Sequence, residues 1–207
     1  KDEQEKVESA MESLVDGLDS KEDMQEKYGI LEASMESVLN YEYSDREATS
    51  KELSELKMLA KGMTLIRDLS RQETYEIPVL AGDGVTNMHL TVRSGQGDSG
   101  KVQIQMDSQQ FGNVSAEFTI KDGVVQGMLL CSSRKAADTL KMELGDFEQR
   151  LNNAGLEIGR ITYGLQTGNR SLYSADTKYE SESDKDTSEY YQAAKAFVKH
   201  IAWLEQE

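Results

Sequence analysis

The chain has one cysteine and one proline among 207 residues. A lone cysteine, Cys131, excludes an intramolecular disulfide, which fits a reducing compartment or a disulfide-free exported protein. Histidine is nearly as scarce. His89 and His200 stand far apart, and neither has a Cys or Asp partner at a recognised spacing, so no zinc site is expected. Positive charge is short: Lys plus Arg is 23 against 38 for Asp plus Glu, a net charge of -15. Such a surface repels phosphate backbones and anionic lipid, so neither nucleic acid nor a membrane surface is an expected partner. It favours basic partners and solubility. No apolar run approaches the roughly 18 residues that a membrane span needs, and no signal peptide is visible. The chain starts at Lys1 in charged sequence, as a piece of a longer protein would.

The residues that are present fall into four stretches. Residues 1–72 are helical in pattern. Val7, Met11, Leu14, Val15 and Leu18 keep helical spacing. Ser20 is positioned as an N-cap, with Glu22 and Asp23 in the first turn, ahead of Met24, Tyr28, Leu31, Met35 and Leu39. A third helix is expected from Thr49 or Ser50, carrying Leu53, Leu56, Leu59, Met63 and Ile66. The methionines read as core filler. These helices form either a small bundle of their own or a cover for the strand-rich stretch after them.

At Tyr75 the apolar period changes to two, and residues 73–165 read as an α+β domain, an antiparallel meander packed by one central helix. Tyr75, Ile77 and Val79 face one way. Asp83-Gly84 is a hairpin signal whose register pairs Val79 with Met88, Ile77 with Leu90 and Tyr75 with Val92. Pro78 points to an edge position for this strand. Lys101 to Asp107 alternates with Val102, Ile104 and Met106 inward. Asn113 to Lys121 does the same with Val114, Ala116, Phe118 and Ile120. Asp122-Gly123 then closes a second hairpin, setting Phe118 over Gly127 and Val114 opposite Cys131. Ser132 or Ser133 caps a helix running to about Ala154, with Ala137, Leu140, Leu144, Phe147 and Leu151 as its stripe. Gly145 weakens that helix by roughly 1 kcal/mol, and Gly155 stops it. Leu156, Ile158 and Ile161 to Tyr163 suggest a last strand, bulged near Gly159. Residues 166–187 are polar and read as a linker. Thr187 or Ser188 caps a terminal helix over 188–207, with Tyr191, Ala194, Phe197, Val198, Ile201 and Leu204 on one side.

The motifs that could carry chemistry mostly lack their context. Gly95-Gln96-Gly97-Asp98-Ser99-Gly100 matches the dinucleotide fingerprint, but that fingerprint opens a helix, and here a strand comes next. A hairpin loop is the better reading. Cys131 falls on the core face with no resolving cysteine, as a structural thiol would. Asp184-Lys185-Asp186-Thr187-Ser188 begins like a calcium loop, but Glu189 stands where the turn glycine belongs and Lys195 where the last carboxylate belongs. No cofactor, metal, small-molecule substrate or catalytic constellation is therefore expected.

One feature resists a purely structural account. The Asp122-Gly123 register sends Val124, Met128 and Leu130 to the face opposite the core, and three apolar side chains in a row on one strand make a patch. Either helices cover it or a partner does. The pattern VVQGMLL, apolar on both faces, predicts a helix–sheet–helix sandwich. Residues of the N-terminal helices or of the terminal helix are the expected cover, with Phe197, Ile201 and Leu204 as the terminal helix's contacts.

Residues 85–165 also resemble the C-terminal domain of flagellar hook-length control proteins, the FliK type. That domain carries a Pro-x-x-Leu-Gly turn, an alternating strand, a glycine turn, a second strand and a helix ending in L-x-x-x-G-L. Here Ser108-Gln109-Gln110-Phe111-Gly112 occupies the first turn, Asp122-Gly123 the second, and Leu151-Asn152-Asn153-Ala154-Gly155-Leu156 the helix end. Ser108 replaces the proline and Phe111 the leucine, departures in the most characteristic motif. The resemblance implies a non-enzymatic role in which the domain contacts the export-gate switch protein and changes the specificity of flagellar type III export. It also implies a cytoplasmic site of action before passage through the flagellar channel. The competing expectation is an interaction or scaffold domain of another bacterial assembly.

Overall fold

The structure, a computed structural model, describes residues 9–11, 13–44, 68–81, 84–95, 99–166 and 186–205, with single positions at 58, 61, 62 and 65. Most of the third helix expected near Thr49, and most of the linker, lie outside the described residues. The fold is α+β. Six strands form one sheet in sequence order: β1 (Thr74–Ala81), β2 (Gly84–Ser94), β3 (Ser99–Ser108), β4 (Gly112–Lys121), β5 (Val124–Cys131) and β6 (Glu157–Leu165). Strands β1 to β5 are an antiparallel meander, and β6 joins β5 in parallel after a helical crossover. The helices are α1 (Lys21–Ser44), α2 (Arg134–Met142), α3 (Leu144–Asn153) and α4 (Ser188–Leu204).

Period-two patterning does what it predicts. Tyr75, Ile77, Met88, Leu90, Val92, Val102, Ile104, Val114, Ala116, Phe118, Ile120 and Val125 all lie buried on one face of the sheet. Over them sits an aromatic triangle. Phe118 of β4 lies 5.6 Å from Phe147 of α3 and 5.3 Å from Phe197 of α4, and those two rings are 5.7 Å apart. At the β1 end, Tyr28 of α1 stacks on Tyr75 at 5.9 Å. The Tyr75 and Tyr191 hydroxyls meet at 2.6 Å. Burial raises the pKa of both phenols, which stay protonated. These contacts put α1, α3 and α4 on the same side of the sheet, and no described helix packs on the other.

The terminal helix is therefore not where the alternating VVQGMLL strand suggested. Phe197, Ile201 and Leu204 are buried, but on the core face. The helix–sheet–helix sandwich is absent from the described residues, which form two layers. The reason is the shape of α4. It buries Tyr190, Tyr191, Ala194, Phe197, Val198 and Ile201, a stripe that spans β1 to β4. Its first turn fits a notch, because a Cβ on Gly100 would sit 2.2 Å from the Tyr190 ring. Two ion pairs, Lys195–Asp19 at 2.7 Å and Lys199–Asp16 at 3.0 Å, tie its outer side to the turn before α1.

Three local details also differ from the sequence expectation. The first hairpin pairs Tyr75 with Leu90 and Ile77 with Met88, closing with Ala81 opposite Gly84. That is two residues from the Asp83-Gly84 register. A slip of two preserves which face each side chain takes, so the core is unchanged. The central helix is two helices. Its ladder breaks at Glu143, beside Gly145, where the glycine lowers the cost of leaving helical geometry. Thr187 makes no side-chain cap on α4; Asp186 instead accepts the Ser188 N–H at 3.0 Å.

Elsewhere the expected termini hold. Ser20 accepts the Asp23 N–H at 3.1 Å, and Ser133 accepts the Ala136 N–H at 3.1 Å. The second hairpin has the expected register, with Phe118 opposite Gly127, and Asp122 and Gly123 both take positive φ. The expected bulge in β6 is present as a register shift opposite Val125/Gly127.

Candidate interaction surface

Val124, Met128 and Leu130 lie on the face of β5 that no described element covers. Val124 and Leu130 are half-buried and Met128 is 38% exposed. The first two are shielded by the strand beside them. Gly159 and Gly164 of β6 lie alongside, and added Cβ atoms would sit 3.1 Å from Val124 Cγ1 and 3.0 Å from Leu130 Cδ2. The apolar row therefore leans onto bare glycine backbone, leaving Met128 as its outward point. On the same face of β1 to β5, Glu76, Asp107 and Glu117 are matched by Arg93, Lys101 and Lys121. Lys101 pairs with Glu117 at 2.9 Å, and Gln103 donates to the same carboxylate at 2.8 Å. The face is thus close to neutral on a chain of net charge -15. A balanced face with an apolar edge is better suited to protein contact than the acidic remainder.

At one end of the sheet, the turn of Ser108, Phe111 and Gly112 is held from three sides. Ser108 Oγ accepts the Phe111 N–H at 2.9 Å, so a side-chain hydrogen bond closes the turn where a proline would have fixed φ. Phe111 is buried, and its carbonyl accepts from Ser132 Oγ at 3.1 Å. Gly112 has φ +68, and its missing Cβ makes room for Ser132 Oγ. Glu205, at the end of α4, accepts from the Gln109 N–H at 3.0 Å and from the Ser108 hydroxyl. The turn and the apolar row are separate features: one is clasped by α4, the other lies on the opposite face of β5.

The L-x-x-x-G-L end of α3 has a specific geometry. Leu156 N–H bonds to the Leu151 carbonyl at 2.9 Å, and Gly155 N–H to the Asn152 carbonyl at 3.0 Å. Gly155 takes φ +78. This is a Schellman motif, whose two leucines meet across the turn. Both are buried, so the motif turns the chain from α3 into β6 and places β6 beside β5.

One polar cluster escaped the sequence reading. His200 of α4 is buried between Phe147 and Trp203, with Nδ1 2.8 Å from Asp146 Oδ2 on α3. Arg150 bonds the same carboxylate at 2.6 Å. Burial lowers the His200 pKa, and the Asp146 carboxylate only partly offsets this. For Asp146, burial acts upward, but hydrogen bonds from Arg150 and His200 outweigh it and hold the pKa below 3.8. The spacing of Asp146 and Arg150 was visible as an i,i+4 pair, whereas the approach of His200 depends on α4 docking.

The remaining candidate residues fall in place. Gly95 and Gly100 flank a loop between antiparallel strands β2 and β3, so the motif runs from a strand into a strand and opens no helix. Cys131 is buried opposite Val114, and burial pushes its thiol up to about 11. His89 lies on the uncovered face, beside Glu76. Asp184 and Lys185 lie outside the described residues. Among those described, no group of three His, Cys, Asp or Glu side chains is arranged to hold a metal. No described helix is long and apolar enough to cross a membrane.

Comparison with known proteins matches this architecture. Residues 81–171 fit the family described as flagellar hook-length control protein FliK. A curated relative named "Probable flagellar hook-length control protein", from Bacillus subtilis (strain 168), is 28% identical over 75 residues. The matched stretch covers 36% of this chain and 15% of that relative. No solved structure matches. The matched segment takes in the β3–β4 turn, the second hairpin and the Schellman end of α3, so the similarity to the flagellar hook-length control family covers residues 81–171 of this chain.

Proposed function

We propose that the domain acts by binding, without catalysis, as a specificity switch for flagellar type III export. Its partner in this reading is the cytoplasmic part of the export-gate switch protein, and its contact surface is the uncovered sheet face around Val124, Met128 and Leu130. The observation that carries the reading is the one-sided placement of the described helices. It leaves a balanced, partly apolar sheet face on an otherwise acidic molecule. The reading also places the protein in the cytoplasm first and then in the flagellar channel. A chain with one buried cysteine and no disulfide carries no covalent obstacle to unfolding for passage.

The test is direct binding of the full chain to the purified cytoplasmic domain of the export-gate switch protein. Met128→Glu places a charge at the outward point of the row. It is expected to weaken binding about tenfold, equivalent to about 1.4 kcal/mol. Its unfolding midpoint should stay within about 0.5 kcal/mol of the parent, as for other surface changes. Absence of binding by the parent chain, or equal binding by the variant, would sink the assignment.

A further inference from the structure

The two edges of the sheet are treated differently. On β1, Pro78 removes a backbone donor, and Tyr28 of α1 donates its hydroxyl to the Glu76 carbonyl at 2.7 Å. Proline and a covering helix are ways of blunting an edge against further pairing. Among the described residues, the stretch Ile161–Leu165 on β6 has neither, and it carries no charged side chain. Among the described residues, no strand pairs with its outer side.

The ladder sets which backbone groups face outward. Gln166 N–H bonds inward to the Cys131 carbonyl at 2.8 Å. Backbone groups of successive strand residues alternate in direction, so Gly164 and Thr162 also point inward, toward β5. Ile161, Tyr163 and Leu165 therefore present their N–H and C=O groups outward. Before the bulge the parity is reversed, because Glu157 N–H bonds inward to the Gly123 carbonyl at 2.8 Å. The pairing-competent edge is the segment after the bulge.

The side chains there leave a path from the edge to the apolar row. Thr162 and Gly164 occupy the uncovered face of β6 beside Met128 and Leu130. A threonine and a glycine do not wall off the row, so bulky side chains on a seventh strand could reach across to Leu130 and Met128. Leu165, 46% exposed, extends apolar surface to the end of the edge.

We infer that β6 is a strand-addition site, taking an extended segment of a partner protein with bulky apolar residues at alternate positions. A partner of another sequence is favoured over a second copy of this chain, because two molecules of net charge -15 repel. Backbone pairing would supply the register, and the alternate side chains would supply specificity by covering Met128 and Leu130. The inference deepens the proposed function and rests on it, naming the form of the partner segment.

The experiment is residue-resolved amide hydrogen exchange on the full chain, with and without the cytoplasmic domain of the export-gate switch protein. Strand addition should slow exchange at Ile161, Tyr163 and Leu165 by about tenfold or more. Thr162 and Gly164, already bonded to β5, should change little. Leu165→Pro deletes one outward N–H and leaves the β5 ladder intact; it should weaken binding about tenfold while far-UV circular dichroism and melting stay unchanged. Binding that leaves the three outward amides unprotected overturns strand addition while keeping the proposed function. No binding at all overturns both. Protection that rises with the concentration of this chain alone overturns the partner assignment in favour of self-pairing.

Discussion

Gly100 belongs to a glycine-rich motif that resembles a nucleotide loop, and the structure gives it a different purpose that a double-mutant cycle can test. It sits in β3 between Ser94 and Ile120. A Cβ built on it would fall 2.2 to 2.5 Å from three atoms of the Tyr190 ring, well inside van der Waals contact. Gly100→Ala must therefore lift Tyr190 and the first turn of α4, and overpacking of this kind costs about 1–3 kcal/mol. Tyr190 is 4% exposed, and truncating a buried aromatic costs about 3–5 kcal/mol. If the two effects were independent they would add. Because Tyr190→Ala removes the atoms that the new methyl strikes, the double variant should cost about 1–2 kcal/mol less than the sum. Urea denaturation of the four proteins measures this directly. Additivity within about 0.5 kcal/mol would show that α4 does not seat on β3 through this contact. The packing account of the motif would then fail.

The same geometry sets two further outcomes. Gly155→Ala forces a methyl-bearing residue into φ +78 at the Schellman turn, and should destabilise the domain by about 1 kcal/mol in the same urea assay. An unchanged midpoint would contradict the left-handed cap. His200 supplies a pH dependence. Its folded pKa lies below 6.5 because burial disfavours the charged ring, so the unfolded chain binds the extra proton first. Stability is then full above pH 6.5 and falls as pH drops below it toward the depressed folded value. Asp146 acts separately: its lowered pKa contributes stability that is lost only below 3.8. Unfolding midpoints between about pH 7 and pH 5 should fall for the parent and stay flatter for His200→Asn, which keeps a donor but cannot titrate. Parallel curves would refute the assignment to His200.

Much of this was legible because it is local. Period-two apolar spacing picked out the core faces of all five meander strands, and positive-φ turn chemistry fixed the β4–β5 register to the residue. Even the misplaced first register kept every side chain on its proper face, because two residues is one full strand period. Capping residues Ser20 and Ser133, and the stop at Gly155, act through hydrogen bonds to neighbours within a few positions. The family-motif turn at Ser108 was located through the family resemblance alone. Its closing bond reaches only three residues, although its clasp by Glu205 comes from 97 residues away.

The expected placement of the terminal helix and the missed His200 cluster both depend on where α4 docks. A strand reading VVQGMLL is apolar on both faces, and nothing in it says which face a distant helix will choose. The choice is made by complementary shape: the Gly100 notch under Tyr190, the space between Phe118 and Phe147 for Phe197, and the Tyr75 hydroxyl opposite Tyr191. The outer row needs no helix, because Gly159 and Gly164 take up Val124 and Leu130. The buried His200–Asp146 pair exists only once that docking has occurred. The family-matched segment therefore does not complete its own core. Residues 81–171 supply β2 to β6, α2 and α3, while Tyr75, Tyr28 and Phe197 come from outside the match. Segments on either side of the family-matched stretch close one face of its sheet, and no described helix packs on the other face.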